Sequence, residues 1–138
     1  MSKQTTVNEC RMIDIRKYTD NRGYLSVVEG GLDIPFEIKR IYYLYMVPEV
    51  ARGAHAHKAL QQLLIATSGS VEVIMDDGKE KKSFMLDRPW KGLLIPPGLW
   101  RDLENFSGGA VLMCLASEKY NPEDYIRDYN DFLKYKGL

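Results

Sequence analysis

The pattern of apolar and polar positions predicts a small antiparallel β-protein. From about residue 38 to residue 116 the chain consists of short apolar or alternating runs separated by turn residues, which is the pattern of a barrel or sandwich. The clearest hairpin joins a strand over 71–75 to a strand over 81–86. Between them lies Asp76-Asp77-Gly78-Lys79, and Asp-Gly readily supplies the positive φ of a tight turn.

Prolines indicate where this strand region is interrupted and where it ends. The apolar run 93–95 leads into Pro96 and Pro97, which have no backbone N–H for a strand ladder, so a strand should end there. Asn121 is a favourable N-cap and Pro122 suits the first helical position, so a C-terminal helix is predicted to follow. Its apolar stripe should lie on the barrel or on a partner subunit, and it consists of Tyr125, Tyr129, Phe132 and Leu133.

Length, charge and cysteine content favour one cytoplasmic domain over residues 1–138. The 19 basic residues balance the 19 acidic ones, so the chain lacks the global field of a nucleic-acid or membrane-surface protein. Only Cys10 and Cys114 occur, which fits neither a disulfide framework nor a cysteine-based zinc site. The first residues lack the apolar segment of a secretory signal, and no apolar run approaches the roughly 20 residues of a membrane helix.

The two histidines are the first candidates for chemistry. His55 and His57 are the only histidines, and they lie two positions apart, which on a strand places both rings on the same face. Two imidazoles on one face of a barrel indicate either a metal pair or a proton-transfer site. Two structural histidines are the alternative.

The surrounding residues resemble the cupin superfamily, but with two changes at metal-ligand positions. The first cupin motif places a glutamate after HxH, and here Gln62 follows His55-Ala-His57 at the family's spacing. The second motif ends in a histidine, and here Arg101 stands in its place. Gln62 is a poor ligand and Arg101 keeps its positive charge, so no metal is expected. Arg101 would instead attract an anion such as a diphosphate, if it is not a surface charge.

Further polar residues are candidates for the same face. Strand alternation over 40–46 puts Arg40 and Tyr42 on one side and Tyr43 on the other. Parity leaves open which side is inside, and Tyr43 is either a pocket donor or a packing residue. Arg52 is expected to guard the pocket mouth, Trp100 to stack on a base or cover apolar wall, and Arg22 to be a phosphate ligand or a solvated turn residue. The candidate substrate-binding residues are Arg22, Arg40, Arg52, Gln62, Trp100 and Arg101.

A closer resemblance covers nearly the whole chain. The run 52–58, Arg-Gly-Ala-His-Ala-His-Lys, and the ending 124–127, Asp-Tyr-Ile-Arg, look like the sugar 3,4-ketoisomerases, which act on dTDP-4-keto-6-deoxyglucose. The resemblance implies a cupin-type β-barrel, metal-free tautomerisation on the way to 3-amino-3,6-dideoxy sugars, and intertwined homodimers. It implies catalytic roles for His55 and His57, and it matches the family's active-site tyrosine and arginine to Tyr43 and Arg52.

The expected chemistry needs no cofactor. A base of near-neutral pKa removes the C3 hydrogen beside the C4 ketone, and an enediolate forms. We predict His55 as the base and His57 as its proton-shuttling partner, although the residues do not fix the order, and Tyr43 or the second imidazole would stabilise the oxyanion. Arg101 leaves the galacto or gluco configuration of the product open. The alternatives are a non-catalytic cupin that binds sugar nucleotides, a dTDP-sugar 3,5-epimerase and a metal-dependent cupin.

Overall fold

Antiparallel strands dominate the structure, a computed structural model that describes residues 2–48 and 52–138. The strands and the helix are β1 Arg11–Asp14, β2 Arg16–Asp20, β3 Gly23–Val27, β4 Arg40–Tyr45, β5 Arg52–His57, β6 Gln62–Ser68, β7 Val71–Asp76, β8 Lys81–Leu86, β9 Lys91–Ile95, β10 Trp100–Glu104, β11 Val111–Ala116, β12 Tyr125–Ile126 and α1 Tyr129–Lys136. Two five-stranded sheets have the orders β1-β9-β6-β11-β4 and β12-β5-β10-β7-β8, and the hairpin of β2 and β3 forms a separate two-stranded sheet. The predicted double-stranded β-barrel with a C-terminal helix is confirmed.

The apolar core lies between the two sheets. Leu64 and Leu112 reach it from the first sheet, and Val73 and Leu103 reach it from the second. All four side chains are buried, and burial of this kind contributes roughly 1.5–3 kcal/mol per large apolar side chain. The residues of opposite parity on β7 and β10 face away from this core. Those on β6 and β11 belong to a second buried apolar cluster, which includes Leu63, Ile65, Leu115, Ile15, Ile34 and Phe36.

The predicted hairpin is confirmed at its turn. β7 pairs with β8 in a register that sets Asp76 opposite Lys81. Gly78 has a φ of +92°, a conformation that L side chains rarely adopt. Its N–H donates to Oδ1 of Asp76 at 2.7 Å. β9 ends at Ile95, directly before the prolines, as predicted.

The C-terminal helix begins later than predicted. The Asn121 side chain does act as a cap, accepting the N–H of Glu123 at 3.0 Å, but it caps only a single 3-10 turn. The chain then becomes β12 and pairs with β5, setting Tyr125 opposite His57. The prediction of a continuous helix is wrong here, because the backbone groups of β12 form their hydrogen bonds with β5 instead. α1 follows with Asp128 as its N-cap.

The apolar stripe of the tail packs on this chain's own barrel. Phe132 is fully buried, with its ring 5.8 Å from that of Trp100. Tyr129 stands edge-on to the same tryptophan at 5.2 Å. Among the residues that the structure describes, α1 and the short 3-10 turns lack the length and apolarity needed to cross a bilayer.

Candidate active site

A pocket of about 320 Å³ lies within the barrel, between the two sheets and the tail. Four arginines line it, and no carboxylate is among its described lining residues. Such a pocket has a positive potential that favours anions. The polar lining residues are Arg40, Tyr42, Arg52, His55, Gln62, Arg101, Tyr120, Tyr125 and Arg127.

β5 carries both histidines, and they meet the pocket differently. His55 is half-buried and lines the pocket, whereas His57 is fully buried. Their ring centroids lie 4.8 Å apart with the ring planes nearly perpendicular. Tyr125 contacts both rings, at 5.2 Å from His55 and 4.4 Å from His57.

A β-bulge precedes His55. In the pairing of β10 with β5, Arg101 faces His55 but Asp102 faces Gly53, so Ala54 is the extra residue. Ala54 has a φ of +44°, a left-handed conformation that costs an L residue roughly 1–2 kcal/mol. Bulges occur next to active sites because they change the direction of a side chain. Here the bulge separates the mouth of the pocket at Arg52 from the histidine pair.

Asp124 holds the buried histidine. Nδ1 of His57 lies 3.0 Å from Oδ2 of Asp124, and Oδ1 of Asp124 accepts the N–H of Ala59 at 2.7 Å. Burial, reinforced by the nearby positive charges of Arg101 and other groups, lowers the pKa of His57 far below its usual range, so the ring is neutral. A neutral ring beside a carboxylate donates its Nδ1–H. Nε2 then carries the lone pair, and it is buried without a hydrogen-bond partner among the described residues.

Arg101 is a buried cation whose hydrogen-bond partners are uncharged. Its Nη1 donates to Oε1 of Gln62 and its Nη2 donates to the carbonyl of Leu99 at 3.2 Å. Gln62 in turn donates from Nε2 to the hydroxyl of Tyr42 at 2.6 Å. Burial lowers the pKa of Arg101, but a guanidinium starts so high that it keeps its charge. The floor of the pocket therefore presents a fixed positive charge that no carboxylate of the described residues binds.

Comparison with known proteins identifies the family of this chain. The family described as "FdtA: WxcM-like, C-terminal" matches residues 8–137. The chain belongs to this family.

Alignments with relatives of known activity span almost the whole chain. It is 44% identical over 128 residues to the TDP-4-oxo-6-deoxy-alpha-D-glucose-3,4-oxoisomerase of Aneurinibacillus thermoaerophilus, covering 92% of each chain. A 3,4-ketoisomerase structure from Helicobacter canadensis is 46% identical, with a TM-score of 0.91 over 94% of this chain and 98% of that one. The TDP complex of QdtA, a sugar 3,4-ketoisomerase from Thermoanaerobacterium thermosaccharolyticum, is 39% identical, with a TM-score of 0.93 over 96% and 97%. The predicted relationship to the sugar 3,4-ketoisomerases is confirmed.

The structure brings together most of the residues predicted for the site. His57 lies directly behind His55. The predicted residues that line the pocket are Arg40, Arg52, His55, Gln62 and Arg101.

Three predicted residues lie outside this chain's pocket. Tyr43 is 57% exposed because strand alternation turns Tyr42 inward instead. Trp100 is buried on the opposite face of its sheet, where it packs against α1. Arg22 is 86% exposed in the turn between β2 and β3, and its Nη2 pairs with Asp20 at 2.6 Å. The predictions that placed these side chains in the pocket are corrected accordingly.

The tail contributes residues to the site that the sequence patterns do not predict. Asp124, Tyr125 and Arg127 belong to the ending that supports the family resemblance, but the N-cap and proline before them predict a helix. The signal that could have identified them is the alternation around β-branched Ile126, which is typical of a short strand with Tyr125 and Arg127 on one face. Tyr120 is a further site residue that the sequence does not predict. In the structure its ring lies 5.4 Å from the guanidinium of Arg40.

The donor set of the site does not fit a transition metal. Within residues 2–48 and 52–138 no three histidine, cysteine or acidic side chains come together at ligand distances. The Gln62 amide oxygen accepts from Arg101, whose cation repels a metal ion at the same place. Burial raises the pKa of Cys114, which lines the pocket, to about 12, so it is a thiol and not the thiolate that metals bind.

Proposed function

We propose that this chain is an isomerase that converts dTDP-4-keto-6-deoxyglucose to a dTDP-3-keto-6-deoxyhexose. The observation that carries the proposal is an imidazole, His55, in the wall of a pocket whose lining includes four arginines and no carboxylate among the described residues. The imidazole can remove a proton beside the ketone of a keto-sugar, and the positive charges of the arginines can bind the anionic diphosphate of a nucleotide. The relative from Aneurinibacillus, described as acting on a TDP-4-oxo-6-deoxy sugar, supports this substrate class.

The diphosphate is assigned to Arg40 and its exposed neighbours. Nε and Nη2 of Arg40 are buried and lack hydrogen-bond partners among the described residues, while the guanidinium stacks on the ring of Tyr42 at 5.1 Å. Buried donors of this kind need acceptors, and phosphate oxygens match the planar fork of an arginine. Arg52 and Arg127 line the exposed part of the same pocket, where they can reach the second phosphate.

The reaction moves two protons and leaves the redox state of the whole molecule unchanged. His55 removes the hydrogen on C3, and the electrons of that bond form the C3–C4 double bond while O4 becomes an oxyanion. The fixed charge of Arg101 stabilises this enediolate. A proton then returns to C4, and the proton of the C3 hydroxyl reaches O4 with His57, which lies behind His55, acting as the proton-shuttling partner of His55. The C3–O3 bond becomes the ketone, so no oxidant, reductant or metal is needed.

Incubation of the protein with dTDP-4-keto-6-deoxyglucose, followed by NMR of the sugar, tests the proposal. We expect the C4 ketone resonance to disappear and a C3 ketone to replace it. A 3,5-epimerase would keep the ketone at C4 and invert its neighbours, and a non-catalytic binding protein would return the sugar unchanged. Either of these results would overturn the proposed function.

We also propose that the active form is a cytoplasmic homodimer. Ile41, Tyr43 and Tyr45 expose 54–60% of their surface on the outer face of β4, a strand at the edge of its sheet. The β2–β3 hairpin exposes Tyr24 and Leu25 at 77% and 59%. Apolar surface of this extent is typical of an interaction site. Both cysteines are free and buried, which fits a reducing compartment.

A further inference from the structure

We infer that Asp124 is a positioning residue that fixes the tautomer of His57. Its carboxylate keeps the proton of the neutral ring on Nδ1, so that Nε2 stays bare and can accept a proton during catalysis. The inference rests on the proposed function for its consequence in turnover. The tautomer itself is a property of the resting protein and can be measured without a reaction.

The Asp124 carboxylate is held rigidly enough for this role. Oδ1 accepts the N–H of Ala59 at 2.7 Å, which leaves Oδ2 directed at Nδ1 of His57 at 3.0 Å. The backbone is fixed as well, because the carbonyl of Asp124 accepts the N–H of Lys58 at 3.0 Å and its own N–H donates to Asn121 at 3.1 Å. With a side chain only 11% exposed, the carboxylate has little freedom to turn away.

The surroundings of His57 explain why a carboxylate is needed there. The positive charges of Arg101, Arg40 and Arg127 oppose protonation of the ring, so His57 rests as a neutral group. A neutral imidazole has two tautomers, and only a fixed acceptor beside Nδ1 selects the one with a lone pair on Nε2. When Nε2 takes a proton, the same carboxylate stabilises the imidazolium, as the aspartate of a Ser-His-Asp triad does for its histidine.

Anchoring of the tail does not by itself account for the Asp124–His57 contact. The hydrogen bonds from Lys58 and Ala59 already tie residue 124 to the end of β5. The contact adds a tautomer preference, and it leaves Nε2 of His57 buried without a partner among the described residues. A buried polar atom without a partner is unfavourable for stability, and it is expected where a group takes part in proton transfer.

The substitution Asp124→Asn should reverse the tautomer while keeping the packing. The asparagine Oδ1 can still accept the N–H of Ala59, which places the amide NH₂ where Oδ2 now faces His57. That group donates to Nδ1, so the ring proton moves to Nε2. We expect kcat to fall by on the order of a hundredfold to ten-thousandfold with little change in KM, as expected when a catalytic histidine is held in the wrong tautomer.

Comparison with Asp124→Ala separates positioning from anchoring. Alanine removes the acceptor without adding a donor, so His57 can still adopt the active tautomer for part of the time. We therefore expect Asp124→Ala to retain a higher kcat than Asp124→Asn, although it loses more hydrogen bonds. Asp87→Asn makes the same chemical change at a side chain that is 51% exposed and should keep the wild-type kcat. If Asp124→Ala is slower than Asp124→Asn, the residue is only an anchor and the inference is wrong.

Nitrogen-15 NMR of the histidine rings provides a measurement that does not depend on turnover. The chain has only two histidines, so in a His55→Asn background every ring signal belongs to His57. We expect Nε2 to be unprotonated in that background and protonated when Asp124→Asn is added. The same tautomer in both proteins would overturn the inference, whether or not the wild-type protein isomerises the sugar.

Discussion

His55 and His57 show how the same residue type acquires two roles two positions apart. His55 is half-buried at the pocket wall, where a ring can exchange protons with a substrate. His57 lies behind it, fully buried and held by Asp124. Burial and neighbouring cations keep its pKa low, so it accepts a proton only transiently. These environments favour His55 as the base and His57 as its proton-shuttling partner.

Replacement of His55 by asparagine should abolish most of the turnover. Asparagine keeps much of the size and some hydrogen bonding but cannot act as a base near neutral pH, as an imidazole can. We expect kcat to fall by on the order of a hundredfold to ten-thousandfold. TDP affinity, measured by calorimetry, should stay close to that of the wild type, because the proposed diphosphate ligands Arg40, Arg52 and Arg127 are unchanged. Near-normal turnover in this variant would transfer the role of base to His57 or a tyrosine.

Arg101 and Arg127 should differ in their kinetic effects although both line the pocket. Arg101 is buried against Gln62 and Leu99, so Arg101→Met should remove enediolate stabilisation and lower kcat with little change in KM. Arg127 is exposed and stacks on Tyr125, so Arg127→Ala should mainly raise KM. Steady-state kinetics of the two variants measures the difference. A raised KM with unchanged kcat for Arg101→Met would make Arg101 a phosphate ligand instead.

At the level of elements, the site depends on a sheet to which the tail adds an edge strand, β12. β5 pairs with β10 on one side and with β12 on the other. β12 brings Tyr125 against both histidines and places Arg127 at the pocket. α1 then closes over the outer face of the same sheet through Phe132 and Trp100. The tail is therefore part of both the barrel and the pocket.

Truncation of Phe132 should test how firmly the tail is attached. Phe132 is fully buried against Trp100 and Tyr129, and a buried Phe→Ala change typically costs about 3–5 kcal/mol. We expect Phe132→Ala to lower the free energy of unfolding by that amount in urea denaturation, and to lower activity because β12 is less well held. Leu32→Ala, at a side chain that is 67% exposed, is the matched control and should change stability by less than about 0.5 kcal/mol. Equal stability of the two variants would contradict the buried packing of Phe132 against Trp100 and Tyr129.

Local signals explain which elements could be predicted from the sequence. The hairpin around Gly78 was predictable because an Asp-Gly turn and two alternating strands lie within a few residues of one another. The start of α1 was not, because Asn121 and Pro122 satisfy the same local rules for a 3-10 turn as for a helix. What decides between them is the pairing of Ile126 with Ala56, a contact between positions far apart in the sequence.

At the level of the whole molecule, some site residues are marked by local sequence motifs and others come together only through contacts between distant parts of the chain. His55, Gln62 and Arg101 could be found from sequence because motifs mark them. Both faces of β4 carry apolar or aromatic side chains, so alternation alone does not show that Tyr42 faces inward, and the family resemblance matches Tyr43 instead. Tyr120 reaches the pocket only when the chain has closed into a barrel, and no local pattern reports that closure. The alternation around Ile126 indicates a strand in the tail, but it does not show that this strand pairs with β5.

The homodimer is a prediction about the surface of the molecule. The tail stripe that suggested it from sequence is covered by this chain's own barrel, and the exposed apolar face of β4 takes its place as the reason. Light scattering should give about twice the chain mass, as two-fold closure requires. Tyr43→Glu, which adds a charge to a position that is 57% exposed, should shift the protein toward a monomer. A wild-type monomer that persists at high concentration would contradict the dimer.

The reaction in heavy water is the sharpest test of isomerisation through an enediolate, because it reports which carbon gains a proton. With dTDP-4-keto-6-deoxyglucose in deuterium oxide, isomerisation through an enediolate should place the ketone at C3 and deuterium at C4 of the product. NMR of the sugar resolves both positions in one spectrum. A ketone that remains at C4, with deuterium at C3 or C5 or with no deuterium at all, would contradict the account.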